Sequence, residues 1–248
     1  MKSKSKRISI LATLFALATI GLSAFTLNLT SAKGPIHERD SDEGLVGGRY
    51  EVTVTNLTRG QQFTPILVAS HRDGVRLFNM GEPASPQLAV LAEEGDPTQL
   101  ANLLSGMREV KDVVTGPFSE DGVINPGKSM TLTVRAPYPF DHVSVASMLF
   151  PTNDAFFALN GVEGPRGNKE LTFYSPAYDS GSEKNDELCS SIPGPFFSEC
   201  GGPGGGARVG GGEGFVHIHA GIHGVGNFMP ANRDWRNPVA KITVRRVR

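Results

Sequence analysis

Residues 148–161 read MLFPTNDAFFALNG: an apolar run, a polar turn that carries one carboxylate, and a second apolar run. Apolar and aromatic runs of this length, separated by a turn of Pro, Thr, Asn and Asp, are typical of two β-strands. We therefore predict one strand on each side of Asp154. Because residues 142–150 are mostly apolar, we expect the strand before the turn to be buried on both faces.

The rest of the chain repeats this pattern. Residues 50–56 and 130–134 alternate apolar and polar side chains, which is typical of strands with one buried face. Short apolar runs bounded by turn residues predict further strands over 63–70, 110–114, 155–159, 170–174, 215–220 and 239–247.

Two kinds of segment interrupt the strands. Residues 86–94 and 97–104 carry apolar residues at helical spacing and predict two short helices, the second with Asp96 as its N-cap. We expect these helices at one end or edge of a sheet. Residues 192–214 are rich in Gly and Pro and predict a long surface loop. The chain is thus predicted to be all-β: an antiparallel β-sandwich of about eight strands with a short two-helix insertion and a long Gly/Pro-rich loop.

The N-terminus has the layout of a secretory signal peptide. Four basic residues within positions 2–7 precede an apolar run, 8–22, and small residues up to Ala32. We therefore predict a signal peptide over 1–32, a flexible leader over 33–48 and one sandwich domain over 49–248. The protein is then secreted, periplasmic or on the cell surface, with no transmembrane domain after cleavage. The alternative is that the apolar run is retained as an N-terminal membrane anchor.

The charge argues against one class of partner. The whole chain has 24 basic and 25 acidic residues. Removal of residues 1–32 would leave 20 basic residues against 25 acidic ones, a net charge of −5. A mildly acidic domain lacks the basic surface of a nucleic-acid binder, so we expect no nucleic-acid partner.

The chain has two cysteines, Cys189 and Cys200. In an exported chain an even number favours a disulfide. Thiolate ligation of a metal ion is the alternative, but such sites use cysteines at short spacing such as Cys-x-x-Cys, which does not occur in the sequence. We predict a Cys189–Cys200 disulfide.

A second turn, SPAYDSGSE at residues 175–183, carries Asp179 and Glu183. If this turn faces Asp154, three acids with no basic residue in either turn would repel one another unless a cation lay between them. Calcium binds about six to eight oxygen atoms, which loops at one end of a sandwich can supply from carboxylates and carbonyls. The alternative is that Asp154 caps its turn and Asp179 is a solvated loop residue.

Three segments resemble the spondin domain family. Residues 148–154 are similar to the family's strand that ends in a proline-containing turn and an aspartate, and residues 178–183 are similar to its second acidic turn. Residues 238–246 are similar to its closing strand. The two-helix insertion, with EEGDP at 93–97, suits the bacterial members. The resemblance extends from Tyr50 to Arg248.

The resemblance implies a β-sandwich with a calcium ion at its loop end, held by Asp154, Asp179 and Glu183. It also implies a non-catalytic domain that binds a surface or matrix ligand, either protein or polysaccharide. The chain departs from the family in having Glu183 where an aspartate is usual, and in lacking an aromatic residue directly after Asp154. The longer glutamate side chain would change the shape of the ion site.

A histidine cluster offers a different chemistry. In FVHIHAGIHG, residues 215–224, His217 and His219 point to the same face of a predicted strand, and His223 follows. Three imidazoles could hold zinc or copper with one open position, as in an enzyme or redox protein. The alternative is that the histidines form hydrogen bonds with carbonyl groups. The sequence has no nucleophile elbow and no phosphate-binding loop, so we predict no enzymatic activity. A purely structural exported domain is the third possibility.

Overall fold

The strands before and after Asp154 pair with each other near the centre of the larger of two β-sheets in the computed structural model. The structure describes residues 48–117, 122–194, 198–200, 204–206 and 208–247. These residues belong to one compact unit. The predicted signal peptide and residues 33–47 of the predicted leader lie outside the described residues.

Eleven strands occur in the described part of the chain. They are β1 (Arg49–Asn56), β2 (Gln62–Phe63), β3 (Leu67–His71), β4 (Val110–Thr115), β5 (Ser129–Arg135), β6 (His142–Phe150), β7 (Ala155–Glu163), β8 (Glu170–Ser175), β9 (Ala177–Asp179), β10 (His217–Ile218) and β11 (Ala240–Val247). The helices there are α1 (Pro86–Glu94), α2 (Thr98–Ser105) and α3 (Pro230–Arg233). In the described ranges, every helix is too short or too polar to span a bilayer.

The strands form two antiparallel sheets. One has the order β5-β1-β11-β8, and the other has the order β10-β9-β7-β6-β3-β4 with β2 also paired to β6. This arrangement confirms the predicted all-β, sandwich-like fold. There are more strands than predicted for two reasons. The run 63–70 is interrupted around Pro65, which has no N–H to donate to a ladder, and β9 has only three residues.

The main core lies between the two sheets. The alternation predicted for the strands of the smaller sheet is present, because Val52, Val54, Ile242 and Val244 are fully buried. These side chains share one apolar cluster with residues of β6 and β7 from the larger sheet. The buried area between the sheets is the main source of stability, at about 25 cal/mol per Å² of apolar surface.

Phe156 and Phe157, on opposite faces of β7, belong to two different apolar clusters. Successive side chains of a strand point to opposite faces. Phe157 therefore joins the inter-sheet core, where its ring centroid lies 4.4 Å from that of Phe63. Phe156 joins a second apolar cluster on the outer face, with its ring centroid 5.3 Å from that of Phe78. Both faces of the larger sheet are covered at this point, which explains the continuous apolar sequence around Asp154.

The two predicted helices are present, but they do not sit at the edge of a sheet. Leu88, Leu91, Leu100 and Leu104 are buried in the second cluster, so α1 and α2 cover the outer face of the larger sheet. The helix α2 begins one residue later than predicted, and the N–H of Thr98 donates to the side chain of Asp96 at 2.8 Å. This placement brings the end of α1 close to the acidic turns.

Candidate metal centre

The two acidic turns lie side by side. Residues 151–154 connect β6 to β7, and Asp179 ends β9, which pairs with β7 so that Ala155 lies opposite Asp179. Asp154, Asp179 and Glu183 are all buried, each with at most 1% of its surface exposed. The strand register therefore places three carboxylates in the protein interior rather than on a solvated loop.

Asp154 is held by the opposite turn. Its Oδ2 atom accepts hydrogen bonds from the backbone N–H groups of Ser182 (2.9 Å) and Glu183 (3.1 Å) and from the hydroxyl of Ser180 (2.8 Å). Its Oδ1 atom is buried and has no hydrogen-bond partner among the described residues. Burial, reinforced by the carboxylate of Asp179, raises the pKa of Asp154 to about 6.

As in Asp154, only one of the two carboxylate oxygens of Glu183 has a hydrogen-bond partner among the described residues. Its Oε1 atom accepts a hydrogen bond from the backbone N–H of Val209 at 2.7 Å, whereas its buried Oε2 atom has no hydrogen-bond partner in the described part of the chain. Burial raises the pKa of Glu183 to about 7, and the carboxylates of Glu93 and Asp154 act in the same direction. A buried acid with a free oxygen and a raised pKa is costly unless a cation or a proton neutralises it.

The helix α1 adds Glu93 to this group. Glu93 is 4% exposed, and its Oε2 atom lies 3.8 Å from Nε of Arg208. Burial raises the pKa of Glu93, partly opposed by a hydrogen bond from the side chain of Ser182 and by the charge of Arg208. Glu93 is not recognisable as a site residue from the sequence, because which residues of a nine-residue helix are buried depends on the surface that the helix covers.

Asp179, one of the predicted acids, also lies close to two of the predicted histidines. Its Oδ1 atom accepts a hydrogen bond from the N–H of Gly181 (2.8 Å) and its Oδ2 atom accepts one from Asn185 (2.7 Å). Oδ1 lies 3.7 Å from Nε2 of His217, and Oδ2 lies 3.8 Å from Nε2 of His219. Burial raises the pKa of Asp179. The acidic turns and the histidine segment are therefore parts of one site.

The three histidines have different surroundings. His219 is buried, its Nδ1 accepts a hydrogen bond from the N–H of Gly221 (2.9 Å), and its Nε2 lies 3.1 Å from Oδ1 of Asn185. Burial lowers the pKa of His219 to about 4, so its ring is neutral. His223 is exposed. His217 is partly exposed and lies directly opposite Asp179 in the β9–β10 pair.

The described residues contain one group of three or more potential ligand atoms that all lie within 4.8 Å of one another: Asp179, Glu213 and His217. Within the same part of the chain, neither the three predicted acids nor the three predicted histidines form such a group. The acids still fit a hard cation, because Asp154 and Glu183 each hold a buried oxygen that no described residue satisfies.

Glu187 anchors the segment that runs past the site, although its sequence context does not single it out. Its buried carboxylate accepts hydrogen bonds from the backbone N–H groups of residues 223 (2.5 Å), 224 (2.7 Å) and 225 (3.0 Å). Its own N–H donates to the side chain of Asn153 at 3.1 Å. Glu187 thereby ties the histidine segment to the turn before Asp154.

The Gly-rich loop also approaches the site. Gly211 forms a β-bridge with Glu183, and a Cβ atom on Gly212 would lie 2.4 Å from the carbonyl oxygen of Gly181. Only glycine fits there without a backbone shift. The predicted disulfide is confirmed, because Cys189 and Cys200 are bonded and pack beside the main core. Part of the loop predicted to lie on the surface therefore covers the acidic turns. Residues 195–197, 201–203 and 207 of this loop lie outside the described residues.

A comparison with family models matches the central part of the chain. Residues 55–172 match the family model described as Spondin_N. Over these residues the chain is similar to the spondin domain family. The match confirms the predicted resemblance and includes Asp154 and the helices α1 and α2, but it ends before Asp179 and Glu183. A comparison with curated proteins finds no significant match.

Proposed function

We propose that this spondin-like domain is an exported, non-catalytic, calcium-binding module that binds a protein or polysaccharide ligand at the cell surface or in the matrix. The observation that carries the proposal is the pair of buried, unsatisfied oxygens, Oδ1 of Asp154 and Oε2 of Glu183, between two turns that are hydrogen-bonded to each other. Native proteins rarely leave such groups without a partner, and a bound cation would supply one.

The negative charge of the site supports a bound calcium ion. Four buried acids surround it: Asp154, Asp179, Glu183 and Glu93. The nearest basic side chain to Glu93, Arg208, has 55% of its surface exposed and lies 3.8 Å away, so it compensates little of this charge. Calcium is bound by oxygen ligands and accepts irregular geometry, so it can take carboxylates together with backbone carbonyls and water.

The position of the site favours a structural role for the ion. The acids are covered by the Gly-rich loop and by the end of α1. A calcium ion bound to them would link the ends of β6, β7 and β9 to this loop and to the helix. The disulfide Cys189–Cys200 supports an oxidising, extracellular location. Exposed apolar side chains on the histidine segment and the loop after it, Phe215, Ile218, Val225 and Met229, support a macromolecular ligand at this end of the sandwich.

Calorimetry of the untagged protein with excess calcium and with a chelator tests the proposal. A calcium concentration 100 times the Kd would stabilise the domain by about 2.7 kcal/mol, which raises the Tm by roughly 5–10 °C for a chain of this size. Asp154→Asn should abolish the shift. Glu163→Gln, at the opposite end of β7, is the matched control and should keep it. An identical Tm with calcium and with chelator would refute the calcium site.

A further inference from the structure

The strand pair β9–β10 places a second set of ligand atoms beside the acidic turns. His217 lies directly opposite Asp179 in this antiparallel pair, and directly opposite residues present their side chains on the same face. The Nε2 atom of His217 is 3.7 Å from Oδ1 of Asp179 and 3.4 Å from Oε2 of Glu213. One imidazole and two carboxylates therefore converge from two chain segments.

The hydrogen bonding of His217 leaves its Nε2 atom available to bind a metal ion. Nδ1 lies 3.1 Å from the backbone carbonyl oxygen of Ile218. A carbonyl only accepts, so Nδ1 carries the proton and Nε2 of the neutral ring carries a lone pair. Nε2 is buried and has no hydrogen-bond partner among the described residues, because both carboxylate oxygens are at or beyond the outer limit of a hydrogen bond.

The distances from Nε2 of His217 to the two carboxylate oxygens are close to those between neighbouring ligand atoms around a small metal ion. Zinc binds imidazole nitrogen and carboxylate oxygen at about 2.0–2.2 Å, so a tetrahedral ion would hold these atoms roughly 3.3–3.5 Å apart. The observed distances of 3.4 and 3.7 Å are close to this value. Calcium has longer bonds and takes oxygen ligands, so it does not suit a site built around an imidazole.

Two of the three ligands, His217 and Asp179, are already oriented by their neighbours. The carbonyl of Ile218 fixes the ring of His217, and Asp179 is fixed by the N–H of Gly181 and by Asn185. Partners of this kind are typical of metal ligands. The side chain of Glu213 is 42% exposed, which gives an ion a route from solvent and leaves room for a water ligand.

We propose that Asp179, Glu213 and His217 form a binding site for a first-row divalent cation such as zinc, next to the proposed calcium site and sharing Asp179 with it. Two carboxylates and a neutral imidazole balance the charge of a divalent ion. Three protein ligands leave the fourth position for water. His219 is outside this site, because both of its ring nitrogens have other partners.

Isothermal titration calorimetry with Zn²⁺ on the untagged full chain, with calcium present in excess, tests this site. We expect one ion per chain, and we expect Glu213→Gln and His217→Gln each to weaken binding at least tenfold. His223→Gln is the matched control and should leave the affinity unchanged. Calorimetric Tm values in chelator, equal for the wild type and both variants, would show that the loss comes from ligand removal and not from misfolding.

Three results would overturn the proposal. The first is no saturable zinc binding by the wild type, in which case a proton is the only occupant between His217 and the two acids. The second is a loss of affinity in His223→Gln as large as in His217→Gln, which would point to an imidazole cluster. The third is wild-type zinc affinity in Glu213→Gln. Asp154→Asn separates the two sites, since it should lose the calcium effect on the Tm and keep zinc binding.

Discussion

The Oδ2 atom of Asp154 accepts a hydrogen bond from the backbone N–H of Glu183 at 3.1 Å, which joins two turns that are 29 residues apart in the chain. The bond satisfies one carboxylate oxygen of Asp154 and leaves Oδ1 buried without a partner in the described part of the chain. The turns are thus closed around acids that water does not reach. An ion at this point would be enclosed by the fold, and its removal would leave mutually repelling carboxylates.

Glu93→Gln should weaken calcium binding by about tenfold, because it removes one of the buried charges that attract the ion; this corresponds to about 1.4 kcal/mol. In chelator the same variant should be at least as stable as the wild type, since a buried carboxylate with a raised pKa is replaced by a neutral group. Calcium titration followed by calorimetry measures both effects.

The control is the neighbouring Glu94→Gln. Glu94 is 36% exposed and lies 3.6 Å from Arg208, so it shares the partner of Glu93 but not its burial. Calcium affinity in Glu94→Gln should stay within about twofold of the wild type. Equal losses in the two variants would mean that Glu93 acts only through the general charge of the helix.

Without calcium, the domain should become more stable as the pH falls from 8 to 5. The pKa values of Asp154 and Glu183 are raised to about 6 and about 7, so the folded state takes up protons in this range before the unfolded state does. Proton uptake by the folded state means that stability falls as pH rises through these values. The expected gain on acidification is on the order of a few kcal/mol.

Urea unfolding in chelator at several pH values measures this effect, with Glu183→Gln as the comparison. His71 and His219, whose pKa values are lowered by burial, act in the opposite direction below about pH 6.5 in both proteins. The difference between wild type and Glu183→Gln therefore isolates the acid. We expect the difference to shrink as the pH falls from 8 to 5, and a difference that is independent of pH would contradict the raised pKa of Glu183.

Glu187→Ala should destabilise the domain by about 2–4 kcal/mol. The substitution removes the acceptor of three backbone N–H groups in the segment 223–225, and a hydrogen bond to a charged group contributes about 1.5–3 kcal/mol net. Water that enters the space left by the side chain can accept from some of these N–H groups, so the total loss is smaller than three such bonds. Glu187→Gln keeps one acceptor oxygen and should lose less. Chemical denaturation measures both variants, and equal stability of Glu187→Ala and the wild type would show that water replaces the carboxylate.

Loss of the disulfide should cost about 2–3 kcal/mol, because the bond closes a loop whose ends are 11 residues apart. The double variant Cys189→Ala/Cys200→Ala should show this loss in denaturant unfolding. The reduced wild type should behave like the double variant. A domain whose stability is unaffected by reduction would indicate that the loop is held by its other contacts, such as the hydrogen bond from the N–H of Gly205 to the carbonyl of Cys189.

Much of the fold was predictable from local pattern. Short stretches of sequence predict the alternation in β1 and β11, the continuous apolar run of β6 and the two helices α1 and α2. Each of these features is present in the structure. The disulfide was predictable from the even cysteine count. The predictions that missed concerned placement: the helices cover a sheet face instead of an edge, and part of the Gly-rich loop packs on the acidic turns.

The sequence by itself determined where most of the strands lie, and that acids follow two of them closely. Only the tertiary structure decided which side chains share the site. Glu93 reaches it because α1 packs on the outer face of the larger sheet, and His217 faces Asp179 because of the register between β9 and β10. Strand and turn patterns depend on neighbouring residues, whereas these contacts depend on how sheets and loops pack, so the additions of Glu93 and His217 to the predicted acids became recognisable only in the folded chain.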